Sequence, residues 1–138
     1  MNKSKTAIVY NSVYGSTKKY AEWLHNELKY IVFEIDKVKP EELAVYTSLI
    51  VMSGVYGAKM PAVRFLKNNW DKLKEKKIIL IAVGMAPEGN WWDKLTHFLI
   101  PQSIKKRIKY FKIQGKYKEQ GEIKKEHLDR IIKYILKQ

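Results

Sequence analysis

Five short runs of apolar and β-branched residues lie along the chain, at residues 6–10, 30–35, 48–53, 78–84 and 108–113. Runs of this length, without strict alternation of apolar and polar positions, are typical of strands covered on both faces of a parallel sheet. The run at 78–84 is the most hydrophobic and predicts a central strand. The run at 30–35 continues into polar residues, which favours an edge position.

Apolar positions with helical spacing occupy most of the segments between these runs. We expect helices at residues 18–29, from Pro61 onward, at about residues 93–100 and at the C-terminus, and only a short helix after Pro40. Pro61 suits a first helical turn because no hydrogen bond is lost there. The stripes that should face the core are Ala21, Leu24 and Leu28 in the first helix, Val63, Leu66, Trp70 and Leu73 in the second, and Leu128, Ile131, Ile132, Ile135 and Leu136 in the last.

Strands that alternate with helices over 138 residues indicate the fold class. A chain of this length is the size of one domain, and its 46% hydrophobic and 30% charged residues are ordinary for a globular protein. We therefore predict that residues 1–138 form a single α/β domain, with a doubly wound parallel sheet, right-handed crossovers and helices on both faces. Ligands of such sheets bind outside the carboxyl ends of the strands, at the topological switch point.

The first strand passes into a small polar loop and then into a helix, in the sequence TAIVYNSVYGSTKK. Ser12, Gly15, Ser16 and Thr17 are turn and N-cap residues, so a helix N-terminus should face the carboxyl end of the strand. Unpaired N–H groups and the positive end of the helix dipole concentrate there, and hydroxyls add donors. This loop is a candidate phosphate site, although Ser and Thr before a helix are more often plain caps.

Two more glycine-containing loops should lie at the same edge of the sheet. They are residues 54–58 after the third strand and residues 84–87 after the fourth. A glycine at such a point lets the backbone approach a ligand without a Cβ in the way. We therefore expect one binding site that is built from three loops.

Missing motifs exclude several other ligand classes of this architecture. Neither G-x-G-x-x-G nor G-x-x-x-x-G-K-[ST] occurs, so the dinucleotide and nucleoside triphosphate fingerprints are absent. The positions at which a response-regulator receiver needs acidic residues hold Asn11 and Ser53. The chain has no Cys, which excludes disulfides, thiolate metal sites and a cysteine phosphatase loop. The three His residues show no metal-ligand spacing, so we expect no metal site.

Lys and Arg number 27 against 14 Asp and Glu, which gives a formal net charge of +13. The excess is largest near the C-terminus, where residues 104–138 hold 12 basic and 4 acidic side chains. A solvated lysine-rich surface explains this charge; attraction to an acidic protein, an anionic substrate, a membrane surface or nucleic acid is the sharper interpretation. No segment approaches the roughly 18 apolar residues of a membrane span or resembles a signal peptide, so we expect a cytoplasmic protein.

The three loops resemble those of the flavodoxin family, and the resemblance covers nearly the whole chain. SVYGST at residues 12–17 is similar to the family's phosphate loop, Ser/Thr-x-Thr-Gly-x-Thr, with Tyr14 in place of a hydroxyl donor. SGVYGA at residues 53–58 resembles the second flavin-contacting loop, and VGMAP at residues 83–87 resembles the third. The motifs Y-G-S-T-K and S-G-x-Y and the lysine-rich last helix are most similar to the subgroup that contains menaquinone-dependent protoporphyrinogen dehydrogenase.

The resemblance implies a five-stranded sheet in the order 2-1-3-4-5 and a bound FMN rather than FAD, since only one phosphate loop is visible. It implies that Tyr56 stacks on the flavin ring and that Gly54 and Gly84 admit the backbone to the ring edge. Met85 is a weaker candidate contact. The implied flavin-binding residues are Ser12, Val13, Tyr14, Gly15, Ser16, Thr17, Ser53, Gly54, Val55, Tyr56, Gly57, Gly84, Met85, Ala86 and Pro87.

The function implied by the resemblance is electron transfer through the flavin, with no catalytic residue of the protein's own. The alternative is a flavin-dependent dehydrogenase of the protoporphyrinogen dehydrogenase type, with residues 85–101, including Trp91 and Trp92, as its substrate surface. A basic binding module without flavin ranks last, and we expect no nucleic-acid partner. The expected partner is a redox protein or a small anionic substrate. Peripheral membrane contact through the basic C-terminal third stays open, as does the oligomeric state.

Overall fold

Five parallel strands form one sheet in the computed structural model, which describes residues Met1–Gln138. The strands are β1 (Thr6–Asn11), β2 (Ile31–Glu34), β3 (Ser48–Gly54), β4 (Lys77–Gly84) and β5 (Ile108–Gln114). Their spatial order is β2-β1-β3-β4-β5, which confirms the predicted order. β2 lies at an edge and β4 lies inside the sheet, as their sequences predict. The winding reverses between β1 and β3, so the topological switch point lies at their carboxyl ends.

Six α-helices and three short 3-10 helices complete the main fold. The α-helices are α1 (Ser16–Leu28), α2 (Pro61–Asn68), α3 (Trp70–Leu73), α4 (Trp91–Phe98), α5 (Gln102–Lys105) and α6 (Asp129–Leu136). The 3-10 helices are Lys3–Lys5, Pro40–Leu43 and Lys125–Leu128. None of the helices has both the length and the apolar character that a membrane crossing requires.

Two hydrophobic cores lie on opposite faces of the sheet. Alternate residues of β1 point into each of them, with Ile8 in the first core and Ala7 and Val9 in the second. Leu24 of α1 packs into the first core, and Leu66 of α2 packs into the second. Because both faces are covered, the middle of β1 needs apolar residues at successive positions, which explains the apolar run at residues 7–10.

Two helices differ from the predicted stripes. The helix after Pro61 is divided at Asn69, whose φ of −123° leaves the helical region and whose side-chain amide donates to the Phe65 carbonyl over 2.9 Å. Trp70 is half-buried against the second core, as its spacing predicts. The expectation for Leu136 is wrong: this side chain is 70% exposed, because it is the last residue of α6 and extends beyond the sheet-facing stripe.

A small hairpin after β5 was not predicted from the sequence. Its strands, β6 (Lys116–Tyr117) and β7 (Gln120–Gly121), pair antiparallel. Lys118 and Gly121 have positive φ angles of 55° and 81°, which bend the chain tightly enough to return it. The hairpin begins at the carboxyl end of β5 and therefore lies beside the three predicted loops.

Candidate functional site

The three predicted loops meet at the carboxyl ends of β1, β3 and β4 and surround a cleft of about 320 Å³. The hairpin closes the remaining side through Gly115, Lys116 and Tyr117, which the sequence did not suggest as site residues. Most of the predicted residues line this cleft, namely Ser12, Val13, Tyr14, Ser16, Thr17, Gly54, Val55, Tyr56, Gly84 and Met85.

A second cavity adjoins the cleft. It has a volume of about 380 Å³, and Gly57 and Ala86 are among its lining residues. It shares Val55, Gly84 and Met85 with the first cleft, so the two spaces are neighbours along the third loop. The structure therefore brings Gly57 and Ala86 beside the first cleft but not into its wall.

Three predicted residues lie outside both spaces. Gly15 forms the N-cap of α1. Ser53 is fully buried, and its hydroxyl accepts a hydrogen bond from the Ala62 N–H and donates to the Gly54 carbonyl, each over 3.0 Å. This hydroxyl positions the start of α2 and does not face the cleft. Pro87 lines a separate pocket beside Arg130.

The first loop forms a backbone cradle at the N-terminus of α1. It turns at Gly15, whose φ of +97° lies in the left-handed region that favours glycine. The Gly15 N–H donates to the Ser12 hydroxyl over 3.1 Å. By contrast, the N–H groups of residues 16–18 donate to no acceptor within the chain. These free donors and the helix dipole point to an anion site.

The three hydroxyls of this loop differ in their hydrogen bonds. Ser12 accepts from the Gly15 N–H. Ser16 donates to the Lys116 carbonyl over 3.1 Å and accepts from the Lys116 N–H over 3.0 Å. Thr17 lines the cleft, and its hydroxyl forms no hydrogen bond with the rest of the chain. Thr17 therefore has the hydroxyl that is wholly free to bind a ligand, and Ser12 keeps its hydroxyl proton free to donate.

Ser16 connects the first loop to the hairpin across 100 positions of the sequence. Both hydrogen bonds involve backbone atoms of Lys116, so the contact carries no requirement for a particular side chain there. The only trace of this feature in the sequence is a polar turn between Gly115 and Gly121. Such a turn predicts a loop, but it does not predict that the loop closes over a distant helix.

Tyrosines gather at the mouth of the cleft. The ring of Tyr14 lies 4.7 Å from that of Tyr117 and 6.1 Å from that of Tyr56, both in edge-to-face geometry. Tyr56 covers Gly54 so closely that a Cβ on this glycine would lie 2.5 Å from the tyrosine hydroxyl. Burial raises the pKa of the Tyr56 hydroxyl, so it stays neutral at physiological pH. Rings of this kind can stack against a planar ligand.

A buried lysine supports the third loop. Lys112 on β5 is only 4% exposed, and its ammonium donates to the Gly84 carbonyl over 3.0 Å and to the Ala86 carbonyl. A Cβ added to Gly84 would lie 3.3 Å from the Lys112 Cε, which shows how closely the two pack. Burial lowers the pKa of Lys112. No feature of the sequence separates this lysine from the many exposed ones.

Asp93 fixes the segment that follows this loop. It is buried, and its carboxylate accepts hydrogen bonds from the Tyr110 hydroxyl over 3.0 Å and from the Gly89 N–H over 2.7 Å. Burial, followed by the charge of Asp93, raises the pKa of Tyr110 well above its usual value, so Tyr110 stays a donor. The Asn90 side chain caps α4 by accepting from the Asp93 N–H over 3.1 Å.

The charges beside the cleft are mainly positive. Lys116 lines the cleft, and Lys112 lines the adjoining cavity. Asp93 is the acidic residue of these two linings, and both of its oxygens already accept hydrogen bonds. No group of three or more His, Asp or Glu side chains is placed to hold a metal ion. The site therefore offers N–H and hydroxyl donors, aromatic faces and positive charge.

The site lies at the switch point of a doubly wound α/β sheet, where proteins of this architecture bind their ligands. Comparison with known families identifies the class: the flavodoxin-domain profile matches residues 7–137, so the chain belongs to this family. Membership supports a flavin-binding redox protein. None of the comparisons identifies the protoporphyrinogen dehydrogenase subgroup. No curated protein matches the chain.

Solved structures of flavodoxins share the fold at low sequence identity. Oxidised flavodoxin 2 from Bacillus cereus is 19% identical with a TM-score of 0.63, covering 96% of this chain and 95% of that one. A short-chain flavodoxin associated with a bacterial microcompartment is 18% identical with a TM-score of 0.65, covering 96% and 97%. A flavodoxin from the domain Archaea is 21% identical with a TM-score of 0.58, covering 91% and 89%. At such identities the likeness establishes the fold alone.

The residues present fit a flavin mononucleotide. The free N–H groups of residues 16–18 and the Thr17 hydroxyl suit one phosphate, with no basic side chain required. Gly54 and Gly84 of the second and third loops line the cleft, with the Tyr56 ring packed over the first glycine and Lys112 and Val55 packed against the second. Tyr14 and Tyr56 supply aromatic faces in the same lining.

Proposed function

We propose that this protein binds FMN and transfers electrons through it, as a basic flavodoxin-like carrier. The observation that carries the proposal is the free donor set at the N-terminus of α1, at the mouth of a cleft that two glycine loops also line. FMN is preferred to FAD because a single anion cradle suits a single phosphate. The flavin supplies the redox chemistry when it is bound.

Each part of the site has a distinct task in this proposal. The N–H groups of residues 16–18 and the Thr17 hydroxyl hold the phosphate dianion. Tyr14 and Tyr56 limit the position of the ring by stacking. Lys112 binds the Gly84 and Ala86 carbonyls and so fixes the shape of the third loop, which would contact the flavin. No side chain of the site is needed as a proton donor or a nucleophile.

The partner in this proposal is an acidic redox protein or a small anionic molecule, since the chain carries a net charge of +13. A cytoplasmic location is part of the same proposal. The positive charge of the C-terminal third would also allow peripheral contact with an anionic membrane surface.

FMN titration tests the proposal. We expect the purified protein to quench FMN fluorescence and to gain thermal stability on binding it. Riboflavin, which lacks the phosphate, is the matched control and should bind far more weakly. Equal binding of FMN and riboflavin would remove the phosphate site from the proposal. Absence of quenching and of stabilisation with excess FMN would overturn the proposal altogether.

A dehydrogenase of the protoporphyrinogen dehydrogenase type is the alternative. Its support is the motif resemblance alone, and residues 85–101 are the segment that would form its substrate surface. Anaerobic oxidation of protoporphyrinogen with a quinone acceptor would favour this enzyme. Absence of turnover with several acceptors, by a protein that binds FMN, would favour the carrier.

A further inference from the structure

Helix α4 is amphipathic in the opposite sense to an ordinary surface helix. Its buried side chains are polar, Asp93 and Thr96. Its exposed apolar side chains form what we call the α4 outer face: Trp91, Trp92, Phe98 and, at the C-cap, Leu99, which are 65%, 52%, 73% and 53% exposed. A surface helix normally turns its apolar side toward the core. An exposed apolar cluster of this kind marks a surface that something else covers.

The α4 outer face is continuous and held in a fixed orientation. Residues seven positions apart lie on the same side of a helix, so Trp91 is aligned with Phe98, and Trp92 with Leu99. The two indole rings touch in edge-to-face geometry, with centroids 4.8 Å apart. On the opposite side, the hydrogen-bonded carboxylate of Asp93 anchors the helix to the sheet.

Positive charges surround the α4 outer face. Lys94 is exposed on the same helix, and Lys106 is exposed at the C-cap of the next helix, α5. The Lys105 ammonium lies 5.7 Å from the centre of the Phe98 ring. Within residues 89–107, Asp93 is the only acidic residue, and it is buried. The surface therefore combines protruding aromatic side chains with uncompensated lysines.

We propose that the α4 outer face docks this protein onto an anionic lipid surface. Trp, Phe and Leu on one side of a helix, beside lysines, are the composition of helices that lie in the membrane–water interface. Tryptophan prefers the headgroup level, and lysine stems can extend past it to reach the phosphates. The overall charge of +13 adds long-range attraction to an anionic leaflet.

The shape of the α4 outer face favours lipid over a protein partner. Its side chains project from a short helix, and a lipid surface accepts projecting side chains without a complementary pocket. Trp92 also lines the cavity beside Gly84 and Met85, so docking would bring the third loop close to the lipid surface. The proposal does not depend on flavin binding, because the outer face and the phosphate cradle are formed by different residues.

Vesicle flotation with the full chain tests this proposal. We expect binding to vesicles that contain phosphatidylglycerol, weak binding to pure phosphatidylcholine, and loss of binding at high salt. Brominated lipid should quench tryptophan fluorescence in the bound state. In the W91A/W92A variant, which retains Trp23 and Trp70, this quenching should disappear and the partition coefficient should fall at least about tenfold.

Single variants separate the aromatic and the charge contributions. F98A should also weaken binding several-fold, and K94A should weaken it about fivefold. L136A removes a leucine that is 70% exposed at the end of α6, outside the α4 outer face, and should bind as the wild type does. FMN titration of F98A should be unchanged, which keeps failure of this proposal distinct from failure of flavin binding.

Three results would overturn the proposal. The first is absence of binding to anionic vesicles at low salt. The second is binding that F98A and W91A/W92A leave intact, since the lysines alone would then be responsible. The third is a dimer in sedimentation experiments that F98A dissociates, since a second copy of the chain would then cover the outer face.

Discussion

Thr17 is the side chain on which phosphate binding by the first loop should depend most. Its hydroxyl lines the cleft and is not used by the fold, whereas those of Ser12 and Ser16 are. Replacing Thr17 with Val keeps the shape and removes one donor to a charged group, which is worth about 1.5 to 3 kcal/mol. We expect T17V to weaken FMN binding roughly tenfold to a hundredfold in fluorescence titrations.

T47V is the matched control for this substitution, because Thr47 lies before β3 at the opposite end of the sheet. It should bind FMN with wild-type affinity. If T17V also bound as the wild type does, the other donors of the loop would hold the anion, and the Thr17 hydroxyl would take no part in binding it.

The sequence predicts that this loop carries hydroxyl donors, but it does not predict which of them is free to bind a ligand. Ser12, Ser16 and Thr17 are equivalent candidates in the motif, and each could cap a helix or bind an anion. What separates them is geometry: Ser12 bonds back to Gly15, and Ser16 reaches a hairpin that is distant in sequence. Long-range contacts of this kind leave no periodicity to detect.

Lys112 should set part of the reduction potential of the bound flavin. It is a buried cation that packs against Gly84, and a unit charge at about 10 Å contributes about 2 kcal/mol at an effective dielectric constant of about 20. Replacing it with Met removes this stabilisation of the anionic, reduced flavin. We expect K112M to have a lower potential in spectroelectrochemical titration. K109M, on the exposed side of the same strand, should change it much less.

The pH dependence of stability provides a second measurement on the same pair of proteins. Because burial lowers the pKa of Lys112, the folded protein releases this proton at a lower pH than the unfolded chain does. The unfolded chain therefore binds more protons in the window below the ordinary value of 10.5, and stability rises with pH there. Urea denaturation should show that the free energy of unfolding of the wild type rises relative to that of K112M as the pH approaches 10.5. A constant difference would mean that Lys112 is not desolvated in solution.

At the scale of elements, the hairpin is the part of the site that sequence could not supply. β6 and β7 have two residues each, too few for an alternating pattern. The orientation of α4 could not be predicted either. Its sequence pattern alone would place the apolar side chains in the core, whereas the structure exposes them. Both elements are determined by contacts with other parts of the chain rather than by local preference.

Gly121 should be essential for the position of this hairpin. Its φ is +81°, and a Cβ there would lie 2.2 Å from the Gly115 carbonyl oxygen and 2.8 Å from Met85. Gly89 has a similar φ of +83° but open space around its Cβ position. We expect G89A to cost about 1 kcal/mol through backbone strain alone. G121A should cost more and should also weaken FMN binding, because the backbone clash displaces one wall of the cleft. Thermal melts and titrations that gave equal results for the two variants would contradict this.

At the scale of the whole molecule, the sheet could be predicted because both of its faces are covered. A strand that is covered on both sides needs a continuous apolar run, and five such runs predicted the number of strands. The flavodoxin resemblance then implied their order. The site followed in outline, because parallel strands place their carboxyl ends at one edge. The burial of Lys112 and Asp93 could not follow, because composition does not reveal which charges a fold encloses.

Net charge is the property by which the whole molecule should act on its redox chemistry. Flavodoxins that act as carriers are usually acidic, which disfavours anionic reduced flavin, whereas this chain carries +13. We therefore expect a higher reduction potential than in acidic flavodoxins. Exposed lysines act through high dielectric, each well under about 1 kcal/mol, and raising the salt to about 1 M shortens the screening length to about 3 Å. The reduction potential should therefore fall as salt is added. The part of the increase that comes from the buried Lys112 should remain at high salt.

The same charge should steer small reactants in opposite directions according to their sign. The rate of reduction by dithionite, an anion, should fall as salt is added, because screening removes the attraction. The rate with reduced methyl viologen, a cation, should rise for the same reason, and this pair of reagents controls for any effect of salt on the protein itself. Two results together would contradict this expectation: stopped-flow rates that change in the same direction for both reagents, and a reduction potential as low as in acidic flavodoxins. The lysines would then lie too far from the flavin to influence it.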